Sequence, residues 1–371
     1  MPNLLAATGI FHPEPGGPST YLRQILPALQ ERGWGVRVVS YGESSATEYP
    51  YLVRRVERKI YPLRLARYGS EIRKHADWAD LVYAHSIDLP LWGVGAPRVL
   101  KVVGDQAWER CVRKHWIPPD LNIDQFQNYR GGWRARWQQA SRSRQAMSMD
   151  AVIAPSLYLR RMVQNWGIAG DKLHLIYNAL PQLEAPSMDR AGLRAELGWH
   201  NRPTLLSAAR LQPWKGIDHL ITVLSDLPDL QLVVVGEGPD LPRLQTMAAA
   251  FGDRVRFLGY LPQAEVRKLM AAADGLALYS GYEGLSHTLL ECLQMGTPVL
   301  ASDKGGNPEL VRDGGNGVLV PHVDLEALRQ GIKRLLERRD QFAANTLTGM
   351  ERFSFENMVE ETDRLLRSLL R

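Results

Sequence analysis

Two glutamates, Glu283 and Glu291, stand on either side of the start of one short helix in the C-terminal half of the chain. An apolar strand precedes Glu283, and the helix predicted from Ser286 ends at Gly296, before the next apolar strand. Backbone N–H groups in the first turn of a helix lack internal acceptors, so residues 284–286 are suited to an anionic ligand. Two carboxylates would repel a diphosphate there, unless one faces sugar hydroxyls and the other ribose hydroxyls. The spacing alone leaves open that Glu283 caps the helix and that Glu291 lies on the surface.

Two basic residues lie between another apolar strand and a helix, in the segment Ala-Arg-Leu-Gln-Pro-Trp-Lys-Gly at 209–216. Arg210 offers a planar fork of donors and Lys215 a compact positive charge, which together would neutralise a diphosphate. Open α/β sheets bind ligands at the carboxyl ends of their strands, where both cations and Glu283 are predicted to lie. Without that context, the two cations would be ordinary surface ions.

The N-terminal half repeats the arrangement of strand, polar loop and helix. Its first loop, Pro-Glu-Pro-Gly-Gly-Pro-Ser-Thr at 13–20, is neither Gly-x-Gly-x-x-Gly nor a P-loop, and its two glycines alone fit a plain turn. His85 and Asp105 follow two further predicted strands, which places them at the same edge of the sheet as this loop. Considered alone, His85 fits a hydrogen-bonded core histidine equally well.

The length and composition indicate two globular domains. A chain of 371 residues exceeds one ordinary core, and 45% hydrophobic and 23% charged residues are typical of soluble proteins. No apolar run reaches the ~20 residues of a membrane span, and the N-terminus lacks signal-peptide features. Cys111 and Cys292 have no metal-type spacing, which predicts free thiols in a reducing cytoplasm. Residues 1–180 hold 24 basic and 15 acidic side chains, whereas residues 181–371 hold 21 and 25, which predicts different partners for the two halves.

The segments around the two glutamates resemble a known family. Tyr-Ser-Gly-Tyr-Glu-Gly-Leu-Ser at 279–286, with Leu-Leu-Glu-Cys-Leu-Gln-Met-Gly-Thr-Pro-Val-Leu-Ala at 289–301, closely resembles the signature of retaining GT-B glycosyltransferases, specifically glycosyltransferase family 4. Segment 209–216 resembles the family motif Gly-Arg-x4-Lys-Gly, with Ala209 in place of the first glycine. Segment 303–309 resembles a further family loop. The resemblance covers nearly the whole chain and is strongest over 200–320.

The resemblance implies a role for each matching residue. Glu283 would contact the donor sugar and Glu291 the ribose hydroxyls, and Asp105 stands where many members carry a histidine near the sugar and the acceptor. The expected catalytic residues are Glu283, Arg210, Lys215 and Asp105; the expected donor-binding residues are Gly16, Gly17, Arg210, Lys215, Gly236, Leu258, Gly284, Leu285, Ser286, Leu290 and Glu291; the expected acceptor-binding residues are His85 and Asp105.

The fold expected from the resemblance is α/β of the GT-B type, with two Rossmann-like domains facing across a cleft. An acceptor-binding domain would span residues 1–182 and a nucleotide-sugar-binding domain residues 183–352. A C-terminal helix at 353–371 would cross back to pack on the N-terminal domain. No cofactor is expected besides the nucleoside-diphosphate sugar as co-substrate. No metal is expected, because no Asp-x-Asp run stands at a strand end and two cations can supply the positive charge.

The implied function is retaining transfer of a hexose-type sugar from a nucleoside-diphosphate sugar to an acceptor hydroxyl, with a lipid-linked or surface-glycan precursor as acceptor. Three alternatives stay open. The protein could be a nucleotide-sugar epimerase of GT-B fold, a transferase with a small soluble acceptor, or a binding module without catalysis. Incubation with a nucleotide sugar alone separates the first, because only an epimerase forms an epimer without an acceptor.

Basic side chains of the first half concentrate in two segments, 51–76 and 108–145, and the second segment also carries tryptophans. Such a surface can bind nucleic acid, an anionic bilayer or an acceptor phosphate, or it can be a solvated helix face. Nucleic acid is not expected, because no nucleic-acid-binding fold accompanies the charges. We therefore predict a cytoplasmic enzyme that is peripheral at the inner face of a membrane. The residues are Arg54, Arg55, Arg58, Lys59, Arg64, Arg67, Arg73 and Lys74, and then Trp108, Arg110, Arg113, Lys114, Trp116, Arg130, Trp133, Arg134, Arg136, Trp137, Arg142 and Arg144.

Overall fold

The computed structural model describes residues 1–14, 16–58, 60–199 and 202–370. The chain forms two compact units, Met1–Pro181 with Phe353–Arg371, and Gln182–Arg352. Each unit is built around one parallel sheet, which confirms the prediction of two Rossmann-like α/β domains. Pro15 of the first glycine-containing loop and Lys59 of the first basic segment lie outside the described residues.

The first unit has a parallel sheet of seven strands, connected by helices. The strands stand in the order β3-β2-β1-β4-β5-β6-β7. Their bounds are β1 Asn3–Thr8, β2 Gly35–Tyr41, β3 Leu52–Val56, β4 Leu81–His85, β5 Arg98–Lys101, β6 Ala151–Ala154 and β7 Leu173–Leu175. The helices are α1 Gly17–Glu31, α2 Tyr61–Ala76, α3 Gln106–Arg113, α4 Ile123–Asn128, α5 Trp133–Met147 and α6 Leu157–Gln164.

Burial along these strands follows from their positions in the sheet. Every residue of β4 and β6 is buried, as expected for parallel strands that are covered on both faces. The edge strand β3 instead alternates between exposed and partly buried residues up to Val56, which is buried. The strand order reverses between β1 and β4, so the loops that follow these two strands flank a switch point where α/β sheets bind ligands.

The second unit has a parallel sheet of six strands in the order β10-β9-β8-β11-β12-β13. The strands are β8 Thr204–Ala208, β9 Gln231–Val235, β10 Val255–Phe257, β11 Gly275–Leu278, β12 Val299–Ser302 and β13 Gly317–Val320. The helices are α7 Arg190–Glu196, α8 Ile217–Thr222, α9 Leu241–Ala248, α10 Gln263–Ala272, α11 His287–Gln294, α12 Asn307–Leu310, α13 Leu325–Glu337 and α14 Arg339–Ala343. Its switch point lies between β8 and β11, the two strands that precede the Arg-x4-Lys segment and Glu283.

The last helix, α15 (Phe355–Ser368), belongs to the first unit. Met358, Val359 and Leu366 are buried on one face of this helix. Trp34, which follows α1, donates its indole N–H to Asp363 Oδ1 at 2.6 Å. These contacts anchor the C-terminal segment to the first unit through both apolar packing and a polar bond.

Asp105 is a structural residue of the first unit. It is fully buried, and its Oδ1 caps α3 by accepting the N–H groups of Ala107 at 3.1 Å and Trp108 at 3.2 Å. Its Oδ2 accepts from Gln127 Nε2 at 2.9 Å and forms an ion pair with the buried Arg142 of α5. Both oxygens of Asp105 are therefore engaged within the fold, and its expected contact with sugar and acceptor stays a prediction.

This role predicts a stability effect for Asp105→Ala. The variant loses the cap of α3 and leaves the guanidinium of Arg142 buried without its carboxylate, which typically costs about 3–5 kcal/mol. Thermal or urea unfolding measures the change, with Asp120→Ala as the control because Asp120 is an exposed carboxylate of the same region. An Asp105→Ala protein with wild-type stability but abolished activity would show instead that Asp105 acts on the substrate.

Candidate functional site

The loops after β8 and β11 bring together the residues with the clearest chemical roles. The two strands are neighbours at the switch point of the second sheet, so their loops flank one ligand site. Lys215 Nζ lies 2.5 Å from Glu283 Oε1, and the two side chains are only 15% and 14% exposed. The cation and the carboxylate that the sequence assigns to phosphate and sugar are thus in direct contact.

Close backbone packing holds the two loops in place. Gly216 has a left-handed conformation with φ of 68°, and a Cβ at this position would overlap the carbonyl oxygen of Tyr279. The N–H of Gly281 donates to the carbonyl of Trp214 at 2.8 Å. Because Gly216 directly follows Lys215, the approach of Lys215 to Glu283 depends on a glycine at position 216.

The loop that leads into α11 presents free backbone donors beside this pair. Ser286 caps the helix, its Oγ accepting the N–H of Leu289 at 3.2 Å, so the alternative that Glu283 is the cap is wrong. Among the described residues, no acceptor contacts the N–H groups of Gly284 and Leu285. Such donors at a helix N-terminus favour a negatively charged group.

A third loop, Asp303–Gly306, packs directly against residues 283–285. The N–H of Gly306 donates to the carbonyl of Glu283 at 2.9 Å. A Cβ on Gly305 would overlap the backbone of Glu283, and a Cβ on Gly306 would overlap the carbonyl of Gly284. The loop that follows β12 therefore fixes the backbone on which Glu283 and the free donors stand.

Glu291 lies on α11 and is only 5% exposed, so the alternative of a surface position is wrong. Gln263, the first residue of α10, donates its side-chain amide to Glu291 Oε2. Burial raises the pKa of the Glu291 carboxyl to about 7, although the charge of Arg267 and the bond from Gln263 act in the opposite direction. Near neutral pH this carboxyl is therefore part protonated and can both donate and accept a hydrogen bond.

The remaining donor-binding residues predicted in the second unit lie at neighbouring strand ends. Arg210 is exposed at the end of β8. Gly236 follows β9, where a Cβ would overlap the carbonyl of Ala209, and its N–H donates to the carbonyl of Gly259 at 2.8 Å. Leu258 follows β10 and is partly exposed, whereas Leu290 is buried within α11 and its N–H donates to the carbonyl of Ser286.

The predicted residues of the first unit stand at its own switch point. Gly17 begins α1, and Gly16 precedes it without a side-chain cap. His85 is the last residue of β4 and only 1% exposed, and its ring packs against the rings of Tyr21 and Tyr83, with centroids 5.1 and 4.3 Å away. His85 is thus a core histidine, but neither ring nitrogen has a hydrogen-bond partner among the described side chains and backbone.

Two buried contacts beside the predicted residues are absent from the sequence prediction. Lys101, at the end of β5, is buried with its Nζ 4.2 Å from the Tyr21 ring centroid, and burial lowers its pKa to about 7. Burial and the charge of Lys101 hold the pKa of His85 well below its usual range. A lysine at the end of an apolar strand is the sequence feature that could have indicated the buried cluster of Lys101, Tyr21 and His85. No comparable signal marks Gln263 as the partner of Glu291.

Exposed aromatic side chains concentrate on α5 in the first unit. Trp133 and Trp137 are 72% and 59% exposed and stand one helical turn apart, and the guanidinium of Arg134 lies 5.2 Å from the Trp133 ring centroid.

In the described ranges, no helix is long and apolar enough to cross a bilayer. The same residues contain no group of three or more histidines, cysteines or carboxylates that could hold a metal ion. Cys111 and Cys292 are buried free thiols.

Two family models match the chain, one in each unit. Residues 15–181 match the model for Glycosyltransferase Family 4, and residues 189–347 match the model for Glycosyl transferases group 1.

Individual proteins are similar over different lengths. The GDP-mannose-dependent alpha-(1-6)-phosphatidylinositol monomannoside mannosyltransferase of Mycolicibacterium smegmatis is 29% identical over 366 residues, which cover 93% of this chain and 92% of that protein. The Alpha-D-kanosaminyltransferase of Streptomyces kanamyceticus is 31% identical over 199 residues, covering 50% of this chain and 51% of that protein.

Among solved structures, Alr3699/HepE of Anabaena in complex with UDP and glucose superimposes with a TM-score of 0.80 at 21% identity, covering 99% of this chain and 100% of that one. This structural similarity supports the fold, and the two family models support membership of the family. The chain belongs to glycosyltransferase family 4 and is a sugar-transferring enzyme of the GT-B type.

Proposed function

We propose that this glycosyltransferase moves a hexose from a nucleoside-diphosphate sugar to an acceptor hydroxyl with retention of configuration at the anomeric carbon. The observation that carries the proposal is the contact between Lys215 and Glu283 beside the free N–H groups of Gly284 and Leu285. This arrangement supplies a cation and backbone donors from the loop before α11 for a diphosphate, together with a carboxylate for sugar hydroxyls.

The charges of the site support binding of a diphosphate next to two carboxylates. Lys215 compensates the charge of Glu283, and the raised pKa of Glu291 leaves that carboxyl part neutral near pH 7. Neither glutamate therefore presents a full, isolated negative charge to the phosphates. Glu291, part protonated, suits the two vicinal hydroxyls of a ribose, since it can accept from one and donate to the other.

Transfer begins when the bond between the anomeric carbon and the diphosphate oxygen lengthens. Negative charge then grows on the leaving diphosphate, where Arg210, Lys215 and the helix-start amides would stabilise it. The acceptor hydroxyl attacks from the face that the leaving group occupies, and a donor phosphate oxygen takes its proton. The scheme uses no protein nucleophile, and we propose that the two cations replace a metal ion.

The relatives support a lipid-linked acceptor but leave the donor open. The mannosyltransferase named above uses GDP-mannose and a phosphatidylinositol mannoside, while the Anabaena protein binds UDP and glucose. We propose a lipid-linked acceptor, with the first unit at an anionic membrane surface through Trp133, Trp137 and nearby arginines. Tryptophan favours the headgroup region, and each basic residue near an anionic leaflet contributes ~1 kcal/mol.

The first prediction of this proposal tests the diphosphate contact. Lys215→Ala should lower kcat by on the order of 100-fold or more, because the charge acts on the leaving group as it departs. Nucleotide release is measured across a panel of UDP- and GDP-sugars with a lipid-linked and a soluble acceptor. Lys268→Ala, an exposed lysine of α10, is the control. A folded Lys215→Ala enzyme with near wild-type turnover would contradict the proposal.

The second prediction concerns pH and Glu291. Its folded pKa of about 7 lies above the ordinary value of 4.5, so the folded protein keeps this proton to a higher pH than the unfolded chain. The associated stability is complete below pH ~4.5 and is lost as the pH rises through about 7. Glu291→Gln removes the titrating group and keeps an acceptor for Gln263.

Between pH 5 and pH 8, wild type should therefore lose roughly 2–3 kcal/mol relative to Glu291→Gln in urea unfolding without nucleotide. Glu265→Gln, at an exposed position of α10, should follow the wild-type profile. Parallel profiles for wild type and Glu291→Gln would show that Glu291 is not desolvated in the free protein.

The third prediction tests membrane contact. Wild-type protein should co-sediment with vesicles that contain anionic phospholipid, and binding should weaken as salt screens charges over ~8–10 Å. Changing Trp133 and Trp137 together to alanine should reduce binding several-fold, whereas Tyr260→Ala, an exposed aromatic of the second unit, should not. Wild-type protein that stays in the supernatant at low salt would favour a soluble acceptor.

A further inference from the structure

The first basic segment contributes to a cavity at the edge of the first sheet. Edge strand β3 and helix α2 line an open cavity of about 730 Å³. The cavity belongs entirely to the first unit and includes none of the residues proposed to bind the donor. Its lining residues are Arg54, Arg55, Val56, Glu57, Arg67, Ser70, Glu71, Lys74 and His75.

The cavity has an excess of positive charge. Four permanent cations line it together with two carboxylates, and one of these, Glu71, pairs with Lys74 at 2.5 Å. Within the described ranges, neither Arg54 nor Arg67 has an ion pair. Arg55 already donates to the carbonyl of His12. Two guanidinium groups thus face the cavity without a carboxylate in contact.

The surroundings of His75, which lines the cavity, show the same excess of positive charge. It is buried, and its Nδ1 lies 3.2 Å from an Nη of Arg37, which stacks on the ring of Trp78. Burial lowers the pKa of His75, as does the charge of Arg37, and Arg54 and Lys74 act in the same direction against Glu71. Three cations therefore act on one imidazole, which stays neutral.

We propose that this cavity binds a phosphate group, with the guanidinium groups of Arg54 and Arg67 as the main donors and the hydroxyl of Ser70 as a neutral one. Guanidinium forks match phosphate oxygens in pairs, and a dianionic phosphate balances the two arginines that lack carboxylates. The site goes beyond sugar transfer, since it needs neither donor nor acceptor. Its phosphate is either that of a soluble ester or that of a lipid headgroup.

Titration with sn-glycerol 3-phosphate tests the site. Every protein in this titration carries Lys215→Ala, so that the donor-binding residues do not account for the binding. The titration does not depend on sugar transfer, so failure of the proposed function is distinguished from failure of the phosphate site. The double variant Arg54→Gln/Arg67→Gln should bind sn-glycerol 3-phosphate at least tenfold more weakly. Arg73→Gln with Arg161→Gln, two exposed arginines of the same unit outside the cavity, should change it less than twofold.

A local readout accompanies the affinities. Bound phosphate neutralises the cations near His75, so the pKa of this imidazole, followed by proton NMR, should rise on titration, and His75→Gln identifies the signal. Thermal unfolding checks that the variants are folded. No binding by the Lys215→Ala protein, equal losses in the two double variants, or an unmoved His75 signal would each overturn the proposal.

Vesicles distinguish the two sources. They contain phosphatidic acid, a phosphate monoester, or phosphatidylglycerol, a diester, at equal surface charge. A lipid source predicts that the Arg54/Arg67 variant loses binding to phosphatidic acid vesicles more than to phosphatidylglycerol vesicles. A soluble source predicts weaker glycerol phosphate binding with unchanged vesicle binding. If the Arg54/Arg67 variant binds both glycerol phosphate and the vesicles as well as its parent does, the proposed phosphate site is contradicted.

Discussion

The ion pair between Lys215 and Glu283 is the interaction on which the candidate site depends. A glycosyltransferase that binds a diphosphate beside a sugar needs positive charge for the phosphates and an acceptor for sugar hydroxyls within a few ångströms. Isolated, the carboxylate would repel the diphosphate. At 2.5 Å from Lys215 it is compensated, while its second oxygen can still accept a hydrogen bond. The pair also holds the lysine side chain in one place before the donor binds, which lowers the entropic cost of binding.

Glycines make this pair possible. Gly216, Gly236 and Gly305 each stand where a Cβ would overlap the backbone of a neighbouring loop. The strand-end loops therefore pack backbone against backbone, which leaves the functional side chains and the N–H groups of residues 284–286 at one edge of the sheet. Larger residues would separate the loops and, with them, Lys215 from Glu283.

The sequence predicts the second unit better than the first, for a physical reason. Lys215, Glu283 and Ser286 lie in short strand-to-helix loops, where local spacing determines the position at the sheet edge. Asp105 depends instead on Arg142, which is 37 positions away and approaches only when α5 packs on α3. Its position after a strand was correctly expected, but the sequence does not show the ion pair with Arg142 that engages it within the fold.

Burial is the second property that spacing does not reveal. The Glu-x7-Glu pattern does not show that Glu291 is buried and bonded to Gln263. It therefore does not predict that burial raises the pKa of Glu291 to about 7. The arginines of 51–76 suggested a solvated or membrane-facing surface, whereas β3 and α2 arrange several of them around a cavity. In each case a long-range contact sets the electrostatics, and such contacts follow from the tertiary fold.

The coupling between Lys215 and Glu283 in nucleotide binding is the most direct test of this account. The affinity for UDP or GDP, whichever binds, is measured for wild type, Lys215→Met, Glu283→Gln and the double variant. If Lys215 compensates Glu283, losing the lysine should weaken binding much more when the glutamate is present than when it is glutamine, with a coupling free energy of about 1 kcal/mol or more. Equal losses in the two backgrounds would contradict the account, because the two charges would then act on the diphosphate independently.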